Sequence, residues 1–419
     1  MIHKFVLRNG LRVVFEPIEH VKSVTTGIWI GAGSIYETLE NNGISHLIEH
    51  MLFKGTKNRD AFKIAEEIDS MGGHINAFTT KECTCYYTKV AAYHFEKSLE
   101  ILSDMLFHSL MDEKELEKEK QVIFEEILMY EDSPEDCVHE LLTTLAFDGN
   151  PIAYPILGDL KSVSSITAQT LREYMAQYYT ASNTVISIVG NVALEEIEIL
   201  CNQYFSQFFD CKESTINIPS IIYSTGKKGI HKEIEQMHLC IGTNGFERNS
   251  PYYHASNIFN NVVGGSMSSR LFQNIREKTG LVYSIYSFHS SYKYAGLFGI
   301  YTALKEENME RVLEELRKEL ALITQQGITK EEFERSKSQI QGNYVLSLES
   351  TSNRMTVLGR RELFYNETIE PEEIIPKIAA VQYDDVMDVC KALLDTKEHC
   401  IAFTGNIAHD ESISQKIRL

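Results

Sequence analysis

Several patterns that would assign a function class are missing from this chain. No apolar run approaches the roughly 20 residues that cross a bilayer, and the opening MIHKFVLRNGLRVVFE alternates like strands with no secretory apolar region. A cytoplasmic protein with no membrane partner is expected. Basic residues are scarce. Forty Lys and Arg against 59 Asp and Glu leave a formal net charge of -19, whereas phosphate binding needs clustered cations, so no nucleic-acid partner is expected either. The cysteines Cys83, Cys85, Cys137, Cys201, Cys211, Cys240, Cys390 and Cys400 lack the paired spacing of a zinc ribbon and read as reduced thiols. Cys83 and Cys85 would share one face of a strand, but no second pair completes a thiolate cage.

What is present supports more than one packed core, since 419 residues at 43% hydrophobic content exceed the size at which a single core keeps growing. The chain opens as a sheet. Phe5 to Phe15 and Ser23 to Ile30 are strand-rich, with an Asn9-Gly10 hairpin signal. After a loop from Gly31 to Asn42 comes a helix within Gly43 to Thr56, then a helical pattern through Ile64, Ile68 and Met71 that Gly72-Gly73 stops, and HINAFTTKECTCYYTKVAAY reads as two strands. Helices are predicted from Phe95 to Leu110, from Asp112 to about Tyr130 and from Leu171 to Tyr179, with a buried strand over Thr184 to Val189.

A second copy of this order is visible. VISIVGN, ending at Asn191, recurs as CIAFTGN, ending at Asn406, and DEKELEKEKQVIFEEI from Asp112 recurs as TKEEFERSKSQIQGNY from Thr329 at nearly the same offset. Two related halves of roughly 200 residues result. Residues 1–215 form the candidate catalytic domain and 216–419 its homologue, joined near Cys211 to Gly229, where Pro219 and GKKG punctuate a polar stretch.

The chemistry concentrates in GISHLIEHMLFKGT, residues 43–56. His46 and His50 are one helical turn apart on the same face, with Glu49 beside them, and H-x-x-E-H is the inverted zinc-peptidase pattern: two imidazole ligands and a built-in base. Catalytic zinc usually takes three protein ligands, and Glu119 and Glu126, two turns apart on one helix face, are candidates. In the second half their partners are Ser336 and Asn343, and the helix from Ala255 to Val263 has no such motif. The chemistry is kept in the first half only. A purely structural zinc site would want four ligands, mostly thiolates, and none is evident.

These segments carry a resemblance. NGLRVVFE, GISHLIEHMLFKGT, GGHINAFTTKE, the Glu119 to Glu126 helix, NPIAYPILG, the VGN turn, VVGGSMSSRLFQNIREKTGLVYSIYS and the closing FTGN resemble the pitrilysin and insulin-degrading class of inverted-motif zinc peptidases, in its short processing-peptidase branch. The resemblance implies an α+β fold of two similar domains, each a mostly antiparallel sheet packed with helices. It also implies one zinc ion per chain, held by His46, His50 and Glu126, with Glu119 supporting the ligands and Glu49 as general base. Arg276 and Tyr283 match the family's distal arginine and tyrosine, which stabilise the oxyanion from the opposite half of a clam-like chamber. In a chain this short they are expected from a partner subunit, hence a homodimer. The strand at Gly73, His74, Asn76, Ala77 and Phe78 matches the edge that takes up substrate backbone. The expected function is zinc-dependent endopeptidase cleavage of short or unfolded peptides inside the chamber; the alternative is a catalytically silent chamber or peptide-binding subunit.

Overall fold

The structure is a computed structural model that describes residues 1–208, 221–395 and 398–406. It contains two mixed helix-and-sheet units. The first takes Met1–Ile127, Tyr154–Ile218 and Val345–Ile374; the second takes Leu128–Ala153, Pro219–Tyr344 and Ile375–Leu419. Each unit thus draws one segment from the other half of the sequence. The expected boundary at 215/216, with Cys211 and Pro219, lies outside the described residues.

The first unit's sheet comprises β1 (His3–Val6), β2 (Arg12–Pro17), β3 (Ser23–Ile30), β4 (His74–Thr79), β5 (Thr84–Ala91) and β6 (Thr184–Gly190), in the order β1-β2-β6-β3-β5-β4. Only β2 and β6 run parallel. Its helices are α1 (Ile44–Leu52), α2 (Ala61–Ser70), α3 (Phe95–His108) and α4 (Glu113–Asp132), the last extending past Ile127. The helix after it, α5 (Pro134–Ala146), belongs to the second unit, and α6 (Leu160–Ser165), α7 (Ala168–Tyr178) and α8 (Leu194–Phe205) return to the first.

Strand alternation sorts the sheet's side chains into two apolar faces. Val13, Phe15, Ile28, Ile30, Ile186 and Ile188 pack toward the cluster containing α1, α3 and α7. Val14, Trp29, Cys85, Val185 and Val189 point the other way. A sheet apolar on both faces must be covered on both. The cover comes from α12 (Thr351–Tyr365), which buries Met355 and Leu358 against that second face. Gly27 and Gly359 permit the approach, because a Cβ at Gly359 would lie 2.0 Å from Trp29 Nε1. The indole donates to Ser187 Oγ at 2.8 Å, and Ser187 donates to the Met355 carbonyl at 3.1 Å.

The second unit repeats the plan. Its strands β7 (Gly226–His231), β8 (Met237–Asn244), β9 (Val282–Ser291), β10 (Gly296–Leu304) and β11 (Cys400–Gly405) lie in the order β7-β11-β8-β10-β9, again with one parallel pair, β7 with β11. Helices α9 (Tyr253–Val263), α10 (Met309–Gln326), α11 (Lys330–Ser347), α13 (Ile374–Ala380) and α14 (Tyr383–Leu394) complete it, with α11 ending and α13 beginning at the edges of the unit. Strands β6 and β11 are buried along their whole length, and α4 and α11 precede them in the chain in the same relation that the repeated segments predict. The GKKG stretch is a correction: expected as linker, it is strand β7. Its exposed Lys227 and Lys228 occupy a sheet edge, where charge discourages further strand pairing.

The seven described cysteines are free, as their spacing predicted. No described helix is long and apolar enough to cross a membrane.

Candidate metal centre

Helix α1 buries Ile44, Leu47, Ile48, Met51 and Leu52, a stripe at helical spacing that fixes which way the rest of the helix faces. Its N-terminus has no side-chain cap of its own. Gly43 enters with φ +93, and a Cβ there would lie 2.6 Å from the Leu157 carbonyl. The acceptor comes instead from Glu37, whose Oε2 accepts from Gly43 N at 2.7 Å and Asn42 Nδ2 at 2.8 Å while Oε1 accepts from Ser45 N at 2.9 Å. Burial pushes the Glu37 carboxyl up, and the donors from Ser45, Gly43 and Asn42 oppose that push. Since all of these backbone and amide partners donate, the carboxylate is the form they hold, and its charge also suits the positive end of the helix.

The motif side chains converge on α4. His46 Nε2 and His50 Nε2 each lie 3.8 Å from Glu126 Oε2, and the two rings are 4.5 Å apart. Those separations are too long for hydrogen bonds. They approach the edge of a tetrahedron around an ion with bonds of about 2.1 Å, roughly 3.4 Å. Two imidazole nitrogens and one carboxylate oxygen therefore face a common gap with their ligand atoms within 4.8 Å of one another, a donor set that fits zinc. In the other such group among the described residues, Glu16 and Glu372 already pair with the Arg354 guanidinium and Glu370 with the Met1 amino group.

The neighbours hold this array in a ligating state. Burial drives the His46 imidazole down to about 3, so it is neutral. Its Nδ1 is buried without a hydrogen-bond partner. His50 Nδ1 meets Glu119 Oε1 at 2.8 Å, and a carboxylate there accepts the Nδ1 proton and leaves the Nε2 lone pair facing the gap. Lys54 Nζ sits 2.6 Å from Glu119 Oε2. Burial works to raise Glu119, but the hydrogen bonds from His50 and Lys54 outweigh it and hold the carboxyl below its usual range.

Glu49, on the same helix, makes no part of the three-atom group. Burial raises its carboxyl, opposed first by a hydrogen bond from Thr79, whose Oγ1 donates to Glu49 Oε2 at 2.5 Å. Thr79 is the last residue of β4, the edge strand of the sheet, which among the described strands pairs only with β5. Along β4, His74 and Asn76 are exposed while Ala77 and Phe78 are half-buried. Gly73, just before the strand, leaves no room for a side chain, since a Cβ would lie 2.7 Å from Val90 Cγ1.

Arg276 and Tyr283 are brought together in the second unit. Arg276 lies in the π-helical turn Phe272–Glu277, with its guanidinium 4.6 Å above the Phe272 ring and 6.0 Å from the Tyr283 ring. Tyr283 stands where the β9–β10 register shifts and is 74% exposed. Two residues went unnoticed in the sequence, Glu37 and Thr79. The signal for Glu37 was indirect: a helix that starts at glycine needs an acceptor from elsewhere. That for Thr79 was the alternation of β4, which puts Ile75, Ala77 and Thr79 on the α1 side.

Comparison with known proteins places the chain among peptidases. The profile of "Insulinase (Peptidase family M16)" matches residues 12–160, and that of "Peptidase M16 inactive domain" matches residues 165–340. An uncharacterized zinc protease, YmxG, of Bacillus subtilis (strain 168) is 42% identical across 97% of this chain and 100% of its own length. An uncharacterized zinc protease of Streptomyces coelicolor (strain ATCC BAA-471 / A3(2) / M145) is 36% identical across 94% of this chain and 87% of its own. Among solved structures, a peptidase M16 inactive domain from Pseudomonas fluorescens superposes with a TM-score of 0.90 at 20% identity, covering 98% of this chain and 99% of the other. A protease from Helicobacter pylori does so at 0.88 and 21% identity, covering 97% and 99%. The chain belongs to the insulinase family of peptidases, peptidase family M16.

Proposed function

We propose that the protein is a zinc-dependent endopeptidase of the cytoplasm that cleaves short or unfolded peptides, and that it works as a homodimer enclosing a chamber. The observation that carries the reading is the gap bounded by His46 Nε2, His50 Nε2 and Glu126 Oε2, with the Glu49 carboxylate on the same helix. One zinc ion per chain bound there would supply Lewis acidity toward the scissile carbonyl and acidify the attacking water.

The remaining steps belong to this chain's own residues. Glu49 accepts the proton of the attacking water and returns it to the leaving amine. Glu119 fixes the His50 ring through the 2.8 Å bond to Nδ1. Gly73, His74, Asn76, Ala77 and Phe78 offer an unpaired strand edge, which reads an extended peptide through its backbone and so tolerates many sequences. Arg276 and Tyr283 of a second copy stabilise the developing oxyanion; their mutual proximity and the exposure of Tyr283 suit an outward-facing role. The silent-subunit alternative is disfavoured because the whole donor set, the base and its supports are present in one unit.

The test is cleavage of a quenched peptide library by the zinc-loaded protein, with and without a chelator, alongside its solution mass. Chelator-sensitive internal cleavage by a species of twice 47.8 kDa is expected. Absence of cleavage by fully zinc-loaded protein would move the assignment to a silent subunit.

A further inference from the structure

The base at Glu49 is tied to the substrate-binding edge by one hydroxyl. On β4, Ile75 and Ala77 pack on the core that contains α1, while Phe78 packs on the opposite face of the sheet, against the cluster that contains Trp29. Thr79 shares the side of Ile75 and Ala77 and there reaches Glu49 Oε2 at 2.5 Å. Its other polar neighbour is Thr84 Oγ1 at 3.4 Å, and Thr84 spends its own proton on the Ala32 carbonyl at 3.0 Å. The Thr79 proton is thus directed to the carboxylate, the shorter contact and the stronger acceptor. Thr84 is the cross-strand partner of Thr79, so the donor is anchored to the sheet through β5. Engaging Oε2 leaves Glu49 with one oxygen, Oε1, for the proton of the attacking water.

We infer that Thr79 is a positioning residue for the base. Its hydroxyl, fixed at the end of the strand, holds Glu49 in the rotamer that leaves Oε1 to receive the proton. This rests on the peptide-hydrolysis reading above. The bond to Glu49 is the link through which Thr79 acts.

The test compares Thr79→Val, which keeps the branched shape without the donor, with Thr79→Ser, which keeps the donor. For each, kcat and KM on a quenched peptide are measured together with the melting temperature and the zinc affinity of the apoprotein against a competing chelator. Thr79→Val should lower kcat roughly 10- to 100-fold, as expected for one lost hydrogen bond to a charged group. Its KM, melting temperature and zinc affinity should stay near wild type, and Thr79→Ser should recover kcat to within about threefold. A Thr79→Val kcat within twofold of an active wild type would overturn the inference and leave the peptidase reading standing. So would a kcat loss that Thr79→Ser shares in full or that follows loss of folded protein. A wild type that cleaves nothing would overturn both.

Discussion

Removing the Glu37 carboxylate should loosen the helix that carries the ligands without touching a ligand. The substitution is Glu37→Ala. In the native protein the carboxylate accepts from Gly43 N, Asn42 Nδ2 and Ser45 N at 2.7, 2.8 and 2.9 Å, all in a buried setting. Loss of an N-cap acceptor costs about 1 kcal/mol, and loss of a negative charge at the helix N-terminus up to about 1 more. The donors left behind would add about 1–3 kcal/mol, reduced if water enters the space vacated by the side chain. A total of about 2–5 kcal/mol is expected, large against the roughly 5–15 kcal/mol typical of folded proteins. The assay is urea denaturation of the apoprotein followed through the first unit, with zinc affinity measured separately under native conditions. Glu37→Gln should fall between wild type and Glu37→Ala, because the amide keeps one acceptor but turns a donor toward an N–H. A Glu37→Ala loss below about 1 kcal/mol, with unchanged zinc affinity, would refute the argument that this side chain caps α1.

Two other perturbations follow from the first unit's packing and charge, and one from helix α11. Burial works to raise Asp104, but hydrogen bonds from Thr56, Arg59, Asn58 and His108 outweigh it and hold its carboxyl below the usual range. A depressed folded pKa stabilises above the unfolded value near 3.8 and is lost as pH falls through the folded one, so Asp104→Asn should cost about 3 kcal/mol at pH 7 and progressively less below about pH 4, read from melting curves. Gly359→Ala should destabilise by about 2–3 kcal/mol or more, since its Cβ would strike Trp29 Nε1 at 2.0 Å, where the ring is held by Ser187. Gly342→Ala, inside α11 with nothing within 4 Å of the new Cβ, should instead raise stability by about 0.5–1 kcal/mol. Opposite shifts in thermal midpoint for the two glycines are the checkable outcome.

Much of the site was legible in the sequence because its parts are local. His46, Glu49 and His50 lie within a single helix whose apolar stripe is plain, and Glu119 and Glu126 share another helix two turns apart. The repeat was legible for the same reason, in β6 with β11 and α4 with α11. The exchanged helices were not. Nothing in the periodicity of α12 says that Met355 and Leu358 seal the far face of the first sheet, because that requirement is written in Trp29, Val185 and Val189, far away in the chain. Strand β7 escaped for a related reason: GKKG has no strand alternation and becomes a strand only by pairing with β11. Glu37 and Thr79 are single common residues whose roles exist only once a loop and a strand end are brought against α1.

We propose that Glu49 is the base beside a zinc ion held by His46, His50 and Glu126. Glu49→Gln tests it most directly, with zinc content by metal analysis and turnover of a cleavable peptide measured on the same purified sample. One zinc per chain and hydrolysis reduced by at least about 100-fold is the expected result, as general-base catalysis contributes roughly that much or more. Turnover near wild type in the zinc-loaded variant would show that Glu49 is not the base.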